Sequence, residues 1–354
     1  MKSGHYTFTE ITTQATAWAD ALQAFAGLES SLKQAWESLN PQQVLFIGCG
    51  STYYLSQTAA ALFQELTGVP SYARPSSEMI LFTPQVLAAP SQTMLVTISR
   101  SGTTTETLVA IEKFRQLGGK AVWGITCYPD SPQANACNLV LPAAAAQEKS
   151  VTQTRSFASM LVLAQMMAAT LGGQDTSIAQ DLPNLGEQLI DDASLLMVEL
   201  GDRADIDRLY FLGSGVQYGI ANEAMLKMKE MSLSHSEAYH FMEFRHGPMS
   251  MVTEQALVVG LLSKQAFEHE QKVLAEMKNL GGNILALSPL SGGENTLQQI
   301  NLPNNLPSWL MPVLYLPPLQ LLAYYRTASK GLNPDNPRHL EQVITLNAKD
   351  FAKG

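Results

Sequence analysis

Short, continuous apolar runs recur along the chain, each followed by a longer stretch with helical spacing. VLFIG (44–48), TMLVTI (93–98), AVWGIT (121–126) and NLVLP (138–142) are such runs in the first half. RLYFLG (208–213), ALVVGLL (256–262) and NILALS (283–288) follow in the second. Runs without polar alternation mark parallel strands covered on both faces. Between them the spacing predicts helices at about 52–67 and 104–117, and again near 218–232 and 265–280. Strand and helix alternating in this way predict an α/β fold of doubly wound, flavodoxin-like parallel sheets with right-handed crossovers. Ligands of such sheets bind at the carboxyl ends of the strands.

The two halves also align with each other without a gap. LFIGCGSTYYLSQTAAALFQELTGVPSYARPSSEM begins at Leu45, and YFLGSGVQYGIANEAMLKMKEMSLSHSEAYHFMEF begins at Tyr210. Gly48 pairs with Gly213, Gly50 with Gly215, Tyr53 with Tyr218 and Glu78 with Glu243, all at one constant offset. Each member of the pair has an apolar run, then Gly-x-Gly, then an amphipathic helix. This implies a duplicated domain with its junction within 175–205. A length of 354 residues suits two domains. The expected division is an N-terminal helical segment (1–35), a first domain (36–185), a second domain (195–340) and a C-terminal tail (341–354).

Composition narrows the function classes. The net charge is -9 and no basic stripe is present, which argues against a nucleic-acid partner. The most apolar stretch, SMLVLAQMMAATLGG from Ser159, is interrupted by Gln165 and is shorter than the roughly 18–20 residues of a membrane span. It reads as a buried helix. The N-terminal MKSGHYTFTE has no apolar leader core. Cys49, Cys127 and Cys137 are odd in number and fit no zinc spacing, so they read as buried thiols in a reducing compartment. The expectation is a cytoplasmic protein with no metal, no cofactor and no membrane contact.

The clearest chemical signal lies after the run TMLVTI. Ser99-Arg100-Ser101-Gly102-Thr103-Thr104-Thr105-Glu106-Thr107 is dense in hydroxyls and sits at a strand-to-helix turn. Gly102 permits a tight backbone, and a helix N-terminus supplies free N–H groups and a positive dipole. Together they form an anion cradle that needs no metal. Helix capping alone would require one hydroxyl. The loop lacks the Walker pattern, so nucleotide hydrolysis is not expected. Gly48-Cys49-Gly50-Ser51-Thr52 is a second strand-to-helix turn, open to either ligand approach or tight packing.

With these residues in view, the chain resembles the SIS (sugar isomerase) domain family. S-R-S-G-T-T-T-E-T is similar to that family's phosphosugar loop. LGSGVQYGIANEAMLKMKEMSLSHSEAY, EFRHGPMSMV and PLQLLAYYRTASKGLNPDNPRHLEQV resemble the isomerase half of glucosamine-6-phosphate synthase and related amino-sugar phosphate deaminases and ketosamine-6-phosphate deglycases. The resemblance implies that a phosphate sits on Ser99, Ser101 and Thr104, with backbone help from Arg100 and Gly102 and a hydroxyl from Thr52. It implies that Gly50, Ser51, Val151, Thr152 and Gln342 line the sugar. It makes Glu230 the group that moves a proton between C1 and C2, and His246 the group that opens the sugar ring. In that family the histidine comes from the neighbouring subunit, which implies a homodimer with a shared site.

Two departures from the family pattern alter the expected chemistry. Position 2 is Lys2, where a glutamine-hydrolysing domain needs an N-terminal cysteine, so glutamine hydrolysis is not expected. Gln342 stands where the family carries a lysine able to form an imine, which leaves acid–base chemistry. A carboxylate and an imidazole can supply the base and the acid near neutral pH. The expected function is therefore isomerisation or amine release on a hexose 6-phosphate derivative, an amino sugar or ketosamine phosphate, through an enediol or enaminol. The alternative is a non-catalytic phosphosugar-binding regulator. That role would need the phosphate loop but not Glu230 and His246.

Overall fold

The computed structural model describes residues 3–291 and 298–351. From the N-terminus come α1 (His5–Thr12), α2 (Gln14–Ala26) and α3 (Glu29–Leu39). These lead to β1 (Gln43–Gly48), α4 (Ser51–Thr67), β2 (Ser71–Pro75), α5 (Ser76–Leu81), α6 (Thr83–Val86) and β3 (Thr93–Ile98). Next are α7 (Thr105–Gln116), β4 (Ala121–Thr126), α8 (Pro132–Ala136), β5 (Leu139–Pro142), α9 (Arg155–Leu171) and α10 (Leu182–Gly201). The remainder is β6 (Arg208–Gly213), α11 (Gln217–Ser232), β7 (His235–Tyr239), α12 (Phe241–Phe244), β8 (Ala256–Leu261), α13 (Phe267–Asn279), β9 (Asn283–Ser288), β10 (Gln298–Asn301) and α14 (Leu316–Ser329).

Two parallel sheets result, in the orders β2-β1-β3-β4-β5 and β10-β9-β8-β6-β7. Read from the β2 edge and the β7 edge, the two orders correspond strand for strand, so the repeat seen in the sequence is a repeat of topology. The inner strands β1, β3, β4, β6, β8 and β9 fall on the apolar runs. The edge strands β2, β7 and β10 have no such run, because they are partly exposed and carry polar residues such as Arg74, Glu237 and Gln299. Each gains its strand conformation from pairing with an inner neighbour. The apolar stretch from Ser159 forms most of α9, in which Ser156 through Thr170 are all buried, packed against α2, α3 and α4. Among the described residues no helix is long and apolar enough to cross a membrane.

The chain divides into two compact units. The first holds residues 13–148, 153–183 and 341–354, the last three of which lie outside the described residues. The second holds 1–12, 149–152 and 184–340. Hydrogen bonds explain why the short segments join the second unit. Glu10, buried at 3% exposure, accepts from the N–H of Lys149 at 2.6 Å and from the N–H and hydroxyl of Ser150. Asp335 accepts from the N–H and hydroxyl of Thr7 at 2.7 and 2.8 Å, and its carbonyl receives the Val151 N–H. Of the three cysteines, all free, Cys127 is buried while Cys49 and Cys137 are only half-buried. The expectation of three buried thiols thus holds for one.

In the second unit the turn leading from β8 into α13 is closed by the protein itself. Glu270, in the first turns of α13, accepts from the Ser263 N–H at 2.6 Å and from its hydroxyl at 3.1 Å. Burial pushes its carboxyl from an ordinary 4.5 up to about 7, despite those two hydrogen bonds. The unfolded chain therefore loses this proton at lower pH than the folded chain does. The contribution of Glu270 to stability is greatest below about 4.5 and is lost as pH rises toward 7. Glu270→Gln, which keeps the shape and cannot ionise, should flatten the stability profile across that window. Urea unfolding midpoints measured across it would check this. An equal slope in wild type and variant would assign the pH dependence to another group.

Candidate active site

The turn from β3 to α7 is built around Gly102. Its φ is +63°, and a Cβ there would lie 2.0 Å from Ser131 Oγ, so only glycine fits. The Gly102 N–H donates to Ser99 Oγ at 3.1 Å, and Thr104 Oγ1 lies 3.2 Å from the same oxygen. The N–H and hydroxyl of Thr103 donate to Ser101 Oγ at 3.2 and 3.0 Å. No side chain caps the N-terminus of α7. The hydroxyls are thus not helix caps. They line a turn in front of a helix end whose N–H groups and dipole favour an anion.

The second glycine turn, from β1 to α4, lies beside the first, with Cys49 Sγ 3.9 Å from Thr107 Oγ1. Gly48 is there for packing: a Cβ would meet the Thr52 backbone at 2.5 Å. Gly50 takes a φ of +56° as α4 begins. Ser51 is buried. Thr52 is buried too, and its hydroxyl accepts from the Cys49 N–H at 2.9 Å and donates to the Cys49 carbonyl at 3.0 Å. The structure therefore brings Gly50, Ser51, Thr52 and 99–104 to one edge of the first sheet, with the Thr52 hydroxyl engaged locally.

Arg100 belongs to the same edge. Its carbonyl accepts from the Cys127 N–H at 3.1 Å and the Thr126 hydroxyl at 3.3 Å. Its guanidinium lies 3.4 Å from Glu148 and donates to the Gln342 carbonyl at 2.9 Å. Glu148 is a residue that sequence reasoning missed. It accepts from the N–H and hydroxyl of Thr154 at 2.7 and 2.8 Å, and from the N–H and hydroxyl of Ser156. A lone acidic residue at the head of the hydroxyl-rich stretch EKSVTQTRS was the available signal.

The remaining candidates lie in the second unit. Glu230 lies in the last turn of α11 with its side chain 21% exposed. Lys227 Nζ lies 2.5 Å from its Oε2 and 3.3 Å from Glu223 Oε1. The Lys227 side chain is only 2% exposed. Burial alone would push its ammonium down, but the two carboxylates outweigh that and hold it above the ordinary lysine range. Lys227 is a second residue that sequence reasoning missed. The repeat held a sharper signal: the position matching Lys227 in the first half is Leu62, buried at 1%. A lysine placed where the duplicate has a core leucine needs its own partners. The spacing 223, 227, 230 provides them on one helix face. His246 sits exposed in the turn after α12, its N–H donating to the Glu243 carbonyl at 3.0 Å. Val151 is pinned by the Asp335 carbonyl, and buried Thr152 donates to the Pro334 carbonyl at 3.5 Å.

The SIS domain matches residues 39–170 and 204–299. The chain is 30% identical over 369 residues to a glutamine–fructose-6-phosphate aminotransferase (isomerizing) of Pseudomonas putida, covering 97% of this chain and 59% of that protein. It is 29% identical over 319 residues to the Salmonella typhi protein of the same name, covering 86% of this chain and 52% of that one. The chain thus spans little more than half the length of these curated relatives. A solved glucosamine-6-phosphate deaminase from Thermotoga maritima superposes with a TM-score of 0.80 at 28% identity, covering 96% of this chain and 100% of that one. The tagatose-6-phosphate ketose/aldose isomerase of Escherichia coli shares the fold, with a TM-score of 0.85 at 22% identity over 94% and 95% of the two chains. Both halves of the chain match one domain type and repeat one topology, and the chain belongs to the SIS domain family with two copies of that domain.

Proposed function

We propose that this chain is a phosphosugar isomerase or deaminase acting on a hexose 6-phosphate derivative. The carrying observation is the turn at Ser99–Thr104, a glycine-pinned, hydroxyl-lined anion cradle before an uncapped helix. In this reading Ser99, Ser101, Thr104 and the Gly102 backbone hold the phosphate, and Gly50, Ser51, Val151 and Thr152 border the sugar. The division of labour follows the sequence segments: phosphate binding in 36–185, acid–base chemistry in 195–340, and a tail in 341–354. His246 opens the ring, contributed by the second subunit of a homodimer.

Glu230 is the base. It removes the proton from the carbon next to the carbonyl or imine, and returns it to the neighbouring carbon. Lys227 beside it offers a positive charge that offsets the growing negative charge of the enediol or enaminol. For a 2-amino sugar, the proton shift converts the amine-bearing carbon into an imine. Water then adds and ammonia leaves, so a ketose phosphate and ammonia account for every atom. Amine release is the favoured variant, supported by the likeness to the Thermotoga maritima deaminase over that chain's whole length. Gln342 cannot form an imine with the substrate, so the proton shift rests on Glu230. The Lys227–Glu230 pair favours an enzyme over a non-catalytic regulator, which has no use for it.

Ser99→Ala combined with Thr104→Ala should weaken sugar-phosphate binding by about 2–4 kcal/mol, the scale of lost hydrogen bonds to a charged group. Calorimetry with hexosamine and ketosamine 6-phosphates checks this, and wild-type affinity would remove the loop as the phosphate site. Glu230→Gln should still bind the sugar phosphate but lose about 10²–10⁴ in kcat. Wild-type uptake of deuterium from D₂O at the substrate carbon, seen by NMR with this variant, would show that another residue is the base. The same substrate panel, assayed for free amine and for hexose phosphate, separates deaminase from isomerase.

A further inference from the structure

A guanidinium inside an anion-binding loop invites the reading that it meets the anion. The contacts of Arg100 argue otherwise. The residue is 7% exposed, and its side chain runs to Glu148 and to the carbonyl of Gln342. Glu148 is itself immobilised by the N–H groups and hydroxyls of Thr154 and Ser156 at the start of α9. The Gln342 amide then donates to the Glu148 carbonyl at 3.4 Å, so residue 342 is held by both members of the ion pair. Four residues further on the tail meets the loop again. The Leu346 N–H donates to Thr105 Oγ1 at 3.1 Å, and that hydroxyl lies 3.3 Å from the Leu346 carbonyl. Thr105 is the first residue of α7, directly behind the anion cradle. Phe351 completes the attachment by packing against the core that contains Leu95, Ile111 and Phe114.

We infer that Arg100 is a positioning residue that clasps the tail, residues 341–346, to the phosphate loop through Glu148, and that it is not a phosphate ligand. The geometry has a thermodynamic consequence. The loop that would hold an anion is the loop to which the tail is bonded, at Arg100 and at Thr105. Whatever fixes the loop therefore favours the docked tail, and the docked tail favours the anion by the same factor. Lysine could pair with Glu148 but lacks the planar fork that also reaches Gln342. The anion part of this inference rests on the loop reading above, whereas the clasp itself does not.

The test uses the full chain, with inorganic phosphate as the probe. In Arg100→Gln, hydrogen exchange of the tail peptide containing Leu346 should speed up by about tenfold or more, and phosphate should no longer slow it. Phosphate affinity by calorimetry should fall by no more than the factor by which phosphate slows tail exchange in wild type. With sugar phosphate, kcat should fall while KM changes little, and Arg100→Lys should restore part of kcat. Removing Arg100 leaves a buried carboxylate unpaired, so Arg100→Gln can fail to fold. The double variant Arg100→Gln/Glu148→Gln removes both charges and should show the same freed tail. A loss of phosphate affinity of about tenfold with tail exchange unchanged would make Arg100 a phosphate ligand and overturn the inference. Unchanged tail exchange with unchanged affinity would overturn it equally. If wild type binds neither phosphate nor sugar phosphate, the proposed function fails, while the exchange difference between wild type and Arg100→Gln still decides the clasp.

Discussion

The hydroxyl-lined edge of the first unit depends on one buried carboxylate. Glu148 gathers the start of α9, the guanidinium of Arg100 and, through it, the carbonyl of Gln342. A carboxylate with its side chain fully buried has to be paired and hydrogen-bonded to be tolerated. Each of its partners is therefore held as firmly as Glu148 itself. The cradle at Ser99–Thr104 inherits this rigidity at Arg100, and Gly102 adds a second constraint, since nothing larger fits against Ser131. An anion site made of short hydroxyl side chains works only if they are held in place before the ligand arrives.

Duplication supplied two copies of this architecture, and the copies have diverged in the side chains they carry at equivalent places. Both sheets place strand ends and helix starts along one edge. In the first unit the turn after β3 is hydroxyl-lined, with its helix uncapped. In the second the turn after β8 is filled by the Glu270 carboxylate, bonded to Ser263. The helices diverge in the opposite sense. Where α4 buries Leu62 in the core, α11 buries Lys227 and flanks it with Glu223 and Glu230. One copy keeps a hydroxyl-lined turn pinned by glycine, and the other keeps a buried lysine between two carboxylates.

Local pattern and tertiary packing left separate marks on this protein. The inner strands were legible because burial on both faces demands unbroken apolar runs, and β3, β4, β6 and β9 lie where TMLVTI, AVWGIT, RLYFLG and NILALS place them. The duplication was legible because both copies need the same glycines: Gly50 and Gly215 share a φ of +56° at equivalent turns. The hydroxyl-rich loop was legible because its composition exceeds what a cap requires. The edge strands β2, β7 and β10 were not, because a strand with one partner and a partly exposed face carries no periodic signature of its own. Nor was the attachment of residues 1–12 and 149–152 to the second unit, which rests on the pairing of Glu10 with Ser150 and of Asp335 with Thr7. Glu148 and Lys227 look in the sequence like ordinary surface charges. Only the fold buries them, and burial is what obliges a charge to organise the groups around it.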